Sequence, residues 1–500
     1  MKKTTQGGLF LIGSTIVIAM VNYALSIFLS WMLTPAQYGM IGVSQSLIFV
    51  GSWFLIAGFP WVSAQKVATL TVDELSSAYP LLNSALWANG LLGFLVALGL
   101  CSAVWLGIVP LAPDYRIFSL LIALIVILLA IRLAITPVLQ GRLLFAQLSW
   151  VTLIEATVQF MVALGLVMEG WGVSGALAGF ATGSAVSLLV ALWLTRSTAF
   201  WRWPSFDLEL IAKLRPAIPL LVANMSGVLL VNLDMLLLRL LIVGQDEWIG
   251  YYQVVAVLAR IPYYISQSAN TMIFPMVARN AAHADEADQT SRQALRYVLS
   301  FIFSLCLVLT CAPRATIAFF FPTFYLPAAP ILALLSLGIG MIILAQTVAT
   351  LCQARRQSRP VALVLPFAVA VQIVACLWLI PRYQLQGAAW SSCLAGGVAL
   401  IGMLVVLRRQ FGQVLRLSRF DVFRQFAAFL LLGISCAALP LLGRLSTALW
   451  IATALTLYLA SLLWLKLIDP AVLSALSLPA LPSWKSKSLR SMAGRSVSNK

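Results

Sequence analysis

Charge is scarce in this chain of 500 residues. Only 9% are Asp, Glu, Lys or Arg, against roughly 25% in an ordinary soluble domain. There are 15 acidic residues and a single histidine, His283, so the paired His and carboxylate groups that acid–base catalysis needs are nearly absent. His283 lies beside Asp285, Glu286 and Asp288 in a predicted loop and reads as a solvated residue. No Walker loop or dinucleotide fingerprint follows a strand, and neither H-E-x-x-H nor paired C-x-x-C occurs. The seven cysteines (101, 306, 311, 352, 376, 393 and 436) fall within or at the ends of apolar runs, without metal-ligand spacing, and read as core residues. No metal and no cofactor is expected.

What the chain has is length of apolar run, with 62% of its residues hydrophobic. About 20 such residues cross about 30 Å of hydrocarbon. Fourteen runs qualify: 8–32, 38–60, 80–109, 116–138, 149–168, 172–195, 214–240, 248–277, 294–313, 326–351, 360–380, 384–407, 424–441 and 447–466. The first resembles a secretory signal behind Lys2-Lys3, but it is too long for one and reads as a retained span. The expected fold is therefore an all-α integral membrane protein of about 14 transmembrane helices.

The net charge of +17 would suit nucleic acid if the basic residues shared one soluble face. They do not, and no nucleic-acid partner is expected. With the N-terminus in the cytoplasm, 25 of the 32 Lys and Arg fall on the cytoplasmic side, five at the outer boundary, and Arg132 and Arg260 inside helices. That alternation is what the positive-inside rule demands of a multi-pass protein with both termini cytoplasmic. Outer segments are short, the longest being about 314–325, which leaves little room for the acidic loops of a membrane glycosyltransferase or polymerase. The chain reads as a transporter rather than an enzyme, driven by an ion gradient, protons or sodium, or by the gradient of its cargo.

An internal repeat divides the first twelve runs. Asn22 matches Asn232, Gly39 matches Gly250, Gln140-Gly141-Arg142 matches Gln353-Ala354-Arg355, Gly175-Ala176 matches Gly387-Ala388 and Arg196 matches Arg408, all at offsets of 210 to 213. Six helices per unit give the two halves the same orientation, and such parallel repeats hold their site between them near the midplane. The reading is a six-helix lobe over 1–212, a second over 213–420, an appended helix pair over 421–470 and a basic, disordered cytoplasmic tail over 471–500. In that tail Lys485, Lys487, Arg490, Arg495 and Lys500, with no acid among them, suit anionic membrane lipid.

Ionisable residues inside spans mark the candidate site. A charge at helix centre costs about 2.5–3.5 kcal/mol on insertion scales and so needs a partner or a wet cavity. Asp234 and Arg260 lie 11 and 15 residues either side of a turn near 245, a mismatch of about 6 Å in helix rise. They can pair, imperfectly. Arg239 is the next cation toward the outer surface. Arg132 and Glu155 are equidistant from the turn near 143.5 and form a candidate buried pair. Asn22 and Asn232 complete the cavity set, with Gln253, Gln267 and Asn270 as further polar groups. The plain alternative is that Arg260 only neutralises Asp234 to tie two helices together, and that the amides make interhelical hydrogen bonds.

The segments LTPAQYGMIGVSQSL (33–47), FPMVAR (274–279), QGR (140–142) and IPRYQLQGAAWSSCL (380–394), with the Asp234 helix followed by Gly250-Tyr251, together resemble the polysaccharide-transporter family of the multidrug/oligosaccharidyl-lipid/polysaccharide exporter superfamily. Met235 departs from the pattern of the family, many of whose members carry Arg or Lys after the Asp. The resemblance implies two six-helix lobes around a central cavity and a flippase in a bacterial or archaeal inner membrane. Its substrate would be an undecaprenyl-pyrophosphate-linked oligosaccharide, an O-antigen or exopolysaccharide unit, with polysaccharide polymerase machinery as a partner. Incoming pyrophosphate would displace Asp234 from Arg260, and protonation of the freed carboxylate would couple transport to protons. A cation-coupled exporter of drugs or other amphiphiles, and a cell-wall precursor flippase, share the same architecture.

Overall fold

The computed structural model describes residues 2–56, 60, 79–108, 115–141, 144–195, 218–242, 244–279, 284–355 and 357–411, with scattered positions between 424 and 458. The first half contributes α1 (Lys2–Met32), α2 (Pro35–Ile56), α3 (Tyr79–Trp105), α4 (Tyr115–Gly141), α5 (Phe145–Met168) and α6 (Gly172–Thr195). The second contributes α7 (Ile218–Leu241), α8 (Asp246–Ala259), α9 (Ile261–Arg279), α10 (Ala284–Tyr297), α11 (Ser304–Cys311), α12 (Pro313–Phe320), α13 (Ala329–Ala354) and α14 (Ser358–Gln410). Most of the expected pair 424–441 and 447–466, the tail beyond 470 and His283 lie outside the described residues.

Nine helices among the described residues are long and apolar enough to cross a membrane. Their outward faces carry Phe94, Leu98, Met161, Trp193 and Leu363, all more than half exposed. Apolar surface of that extent is stable only against lipid, and the chain is a multi-pass membrane protein.

Local chemistry ends the helices where the runs end. Thr34 and Gln37 exchange hydrogen bonds, Gln37 N–H to Thr34 Oγ1 at 3.3 Å and Thr34 N–H to Gln37 Oε1 at 3.2 Å. This is a capping box with Pro35 at the first helical position, and it starts α2 three residues after α1 stops. Within α14, Gln384 takes φ 51° and the chain turns back on itself. Cys376 and Ser391 then meet at 2.8 Å, and a Cβ on Gly387 would fall 2.3 Å from the Leu379 carbonyl oxygen. The two expected spans 360–380 and 384–407 are thus one tight helical hairpin.

Two expected single spans are corrected. The run 248–277 is broken at Arg260 into α8 and α9, because Pro262 has no N–H to give the Leu258 carbonyl and its ring crowds that oxygen. The run 294–313 begins earlier, at Ala284 in α10, and passes through a π-helical stretch, Val298–Phe303, before α11.

The neighbour relations of the first half recur in the second. α1 packs on α5 as α7 packs on the α14 hairpin, α2 on α4 as α8 on α13, and α3 on α4 as α11 on α13. The halves meet where α2 crosses α8. A Cβ on Gly39 would lie 2.6 Å from the Gly250 nitrogen, one on Gly250 1.9 Å from the Pro35 carbonyl oxygen, and one on Gly42 2.1 Å from Gln253 Oε1. Gly39 and Gly250 are 211 residues apart, as are Gly42 and Gln253. Under a twofold relation a residue touches its own counterpart only at the axis, so the axis passes through this crossing. Among the described residues α2 has no comparable packing on α9, and the contacts described between the halves lie toward the end where α2 and α8 begin.

Candidate functional site

Asp234 and Arg260 are brought together, with Arg260 Nη2 3.4 Å from Asp234 Oδ1. Asp234 is 1% exposed and Arg260 7%. The pair is unequal. Asp234 accepts from the Tyr252 hydroxyl at 2.5 Å, the Met235 N–H at 2.8 Å and the Ser392 hydroxyl at 3.5 Å, so its charge is well supported without the arginine. Arg260 has the one long contact to its partner, and its buried Nε has no hydrogen-bond partner. A short, bidentate arginine–carboxylate pair has N···O of about 2.7–2.9 Å, and this geometry falls well outside it. Arg260 is the under-satisfied member.

Its position follows from the chain. Arg260 caps α8 at the break forced by Pro262, with φ −83° and ψ −9°, so its side chain leaves the helix axis toward α7. Around it are phenols that the charged-residue argument did not single out. Tyr252, Tyr263 and Tyr264 from its own half and Tyr23 from α1 all lie within electrostatic range of the guanidinium. The Tyr23 hydroxyl is buried without a hydrogen-bond partner. The two Tyr-Tyr pairs flanking Arg260, at 251–252 and 263–264, were the available sequence signal.

Polar groups extend along α9. Gln267 donates to Gln346, which donates to the Gly227 carbonyl at 2.8 Å, and Gln372 donates to the Leu230 carbonyl at 3.1 Å. Asn270 is buried with Oδ1 unpartnered. Gln253 reaches Gln45 of the first half at 3.4 Å and leaves Oε1 free of hydrogen bonds.

The other candidates fall elsewhere. Arg239 is 2% exposed and paired with Asp246 across the α7–α8 turn, so it is a compensated charge. Asn232 is buried and donates to the Val228 carbonyl at 3.0 Å, whereas Asn22 is exposed on α1. Arg132 and Glu155 lie 3.2 Å apart between α4 and α5, with Ser184 of α6 3.5 Å from the carboxylate and Arg132 Nε unpartnered. Met235, fully buried, packs where α7 faces Gly42 of the first half. Among the described residues no group of three His, Cys, Asp or Glu could hold a metal ion.

Two halves that meet at the α2–α8 crossing, nine membrane-length apolar helices among the described residues and a buried, unevenly satisfied charge pair in the second half define a membrane transporter of the two-lobe kind. The chain belongs to the family described as "Polysaccharide biosynthesis protein", which matches residues 4–281. No curated protein sequence matches it. Its fold is similar to that of a lipid II flippase, MurJ, in an inward closed conformation, with 13% identity over 91% of this chain and 98% of that one and a TM-score of 0.70. It is also similar to a multidrug resistance MATE family transporter of the MOP superfamily in an inward-facing conformation, with 13% identity, coverage of 82% and 99%, and a TM-score of 0.64. The eukaryotic MATE transporter AtDTX14 follows at 15% identity, 82% and 97% coverage and 0.55.

Proposed function

We propose that the chain is a flippase for an undecaprenyl-pyrophosphate-linked oligosaccharide, an O-antigen or exopolysaccharide unit, moving it from the cytoplasmic to the outer leaflet of the inner membrane. The observation that supports this reading is the imbalance at Arg260, a buried cation with one 3.4 Å contact and a free Nε, beside a carboxylate that other donors already support. A guanidinium in that state lacks acceptors, and a pyrophosphate supplies them in the planar, bidentate geometry arginine fits best. The same positive charge disfavours a cationic drug as cargo.

In this reading the joined end of the bundle faces the outer leaflet and the N-terminus is cytoplasmic. The polyprenyl tail stays in lipid while the head enters between the lobes from the cytoplasm. Pyrophosphate takes Arg260 while Tyr252, the Met235 N–H and Ser392 continue to hold the Asp234 carboxylate, and the lobes exchange which end is shut. Asn232 and the amides along α9 offer hydrogen bonds to sugar hydroxyls, and Asn22, exposed on α1, faces the entering head. Arg132 and Glu155 serve the first lobe as a buried tie.

The test is transport of a defined lipid-linked oligosaccharide in proteoliposomes. Arg260→Lys keeps the charge without the fork and should retain partial activity. Arg260→Ala should lose it at matched membrane expression. If Asp234→Asn/Arg260→Gln transports at the wild-type rate, the pair is only a tie between helices and the anion role is wrong.

A further inference from the structure

At the joined end, a second group of residues has no part in the anion site. After α12 the chain runs extended through Phe321-Pro322 and forms a short 3-10 helix, Thr323–Ala328, which packs on α8. Tyr325 points from it into the seam. Its ring contacts Tyr38 of the first half at 6.3 Å between centroids, and Tyr251 at 5.7 Å, Phe321 at 6.3 Å and Phe324 at 4.4 Å from its own half. Trp31 of α1 donates its indole N–H to the Phe320 carbonyl at 3.1 Å and so latches the same segment to the first half.

Tyr325 is fully buried, and its hydroxyl has no hydrogen-bond partner. Tyr38, its opposite number, has one in Ser26 at 2.7 Å. An aromatic core could be filled by phenylalanine without leaving a hydroxyl unsatisfied. A phenol buried and without a protein partner here makes sense if its partner comes from elsewhere. The surroundings say which partner. The rings around Tyr325 carry no charge, so an anionic head group gains nothing there. Flat aromatic faces suit the C–H face of a pyranose, and one free phenol suits a ring hydroxyl, the amphipathic use that distinguishes Tyr from Phe.

We propose that Tyr325 is a release-side sugar subsite, masked while the seam is shut, that takes a neutral sugar ring of the cargo against its own face and Tyr251 when Tyr38 withdraws. This rests on the flippase reading and adds to it a station for the glycan separate from the Arg260 station for pyrophosphate. The unpaired hydroxyl strains the shut seam, and a sugar hydroxyl relieves it only after opening. Cargo with a sugar therefore favours the open seam more than the bare lipid carrier does.

Hydrogen–deuterium exchange of the full chain in nanodiscs, read at 35–47 and 246–258, tests this with two probes: undecaprenyl pyrophosphate alone and the same lipid bearing one hexose. Tyr325→Phe keeps the rings and removes the unpaired group, so without lipid it should slow seam exchange about tenfold. In the wild type the hexose-bearing lipid should raise seam exchange beyond the bare lipid, and in Tyr325→Phe that extra increment should vanish while the response to bare lipid stays. An equal extra increment in Tyr325→Phe overturns the subsite and leaves the flippase reading standing. If neither lipid alters exchange in the wild type, the flippase reading falls and the subsite falls with it.

Discussion

Arg132 and Arg260 are the two arginines that the sequence puts inside helices, and each is found beside the carboxylate that helix counting assigns to it. They differ in what a mutation should report. Glu155 is supported by Arg132 at 3.2 Å and only weakly by Ser184 at 3.5 Å, so deleting either partner strands a charge. Arg132→Ala or Glu155→Ala should each cost about 3–5 kcal/mol, and the double replacement Arg132→Met/Glu155→Leu much less than the sum. Additive losses in folded yield and thermal stability would rule out the pairing. Both pairs were legible because a charge in an apolar run stands out, and helix rise converts sequence distance into depth. The phenols around Arg260 were not. Tyr is common at membrane boundaries, and nothing in its spacing separates Tyr23 and Tyr264, which lie within electrostatic range of the guanidinium, from Tyr297, which packs elsewhere.

Helices were legible as lengths of apolar run and illegible as internal breaks. The Thr34-Pro35-Ala36-Gln37 box was already written in the quoted LTPAQYG segment, and it forms with both reciprocal bonds. Thr34→Ala should destabilise the chain by about 1 kcal/mol, and Thr34→Ser by much less, in thermal unfolding. Equal melting of the two variants would mean that Pro35 alone starts the helix. The break at Arg260 was equally present in the sequence as Pro262, yet an apolar run of 30 residues absorbs a proline without any change in hydropathy. The π-helical stretch at Val298–Phe303 has no sequence mark at all, because one extra residue per turn leaves composition unchanged. The consequence of the first break is mechanical. α8 is committed to the other half through Gly250, and α9 packs on α13 of its own half, so Arg260 sits at the joint between the part that holds the lobes together and the part that does not.

For the whole molecule, the constant offset of about 211 residues carried the two-half architecture, and repeated neighbour relations express it in space. What the offset could not say is where the axis runs, since that depends on which faces pack. Gly39 and Gly250 answer it, as counterparts in contact. Their closeness belongs to the conformation in which that end is shut. A methyl on Gly250 would sit 1.9 Å from the Pro35 carbonyl oxygen, which is backbone and has no rotamer to escape by, so Gly250→Ala must separate α2 from α8. Overpacking of this kind costs about 1–3 kcal/mol, enough to move a closed-to-open equilibrium roughly 5- to 150-fold. Gly90→Ala is the matched control, since a Cβ there meets nothing within 4 Å. With native cysteines replaced and a single cysteine placed at Gln45, which meets Gln253 across the seam, a membrane-impermeant thiol reagent added from the side of the joined end should label Gly250→Ala much faster than wild type. Gly90→Ala should label as the wild type does. Unchanged labelling of Gly250→Ala at normal expression would show that the crossing is not what shuts that end, and the opening step would have to be sought at the Trp31 latch and the segment that carries Tyr325 instead.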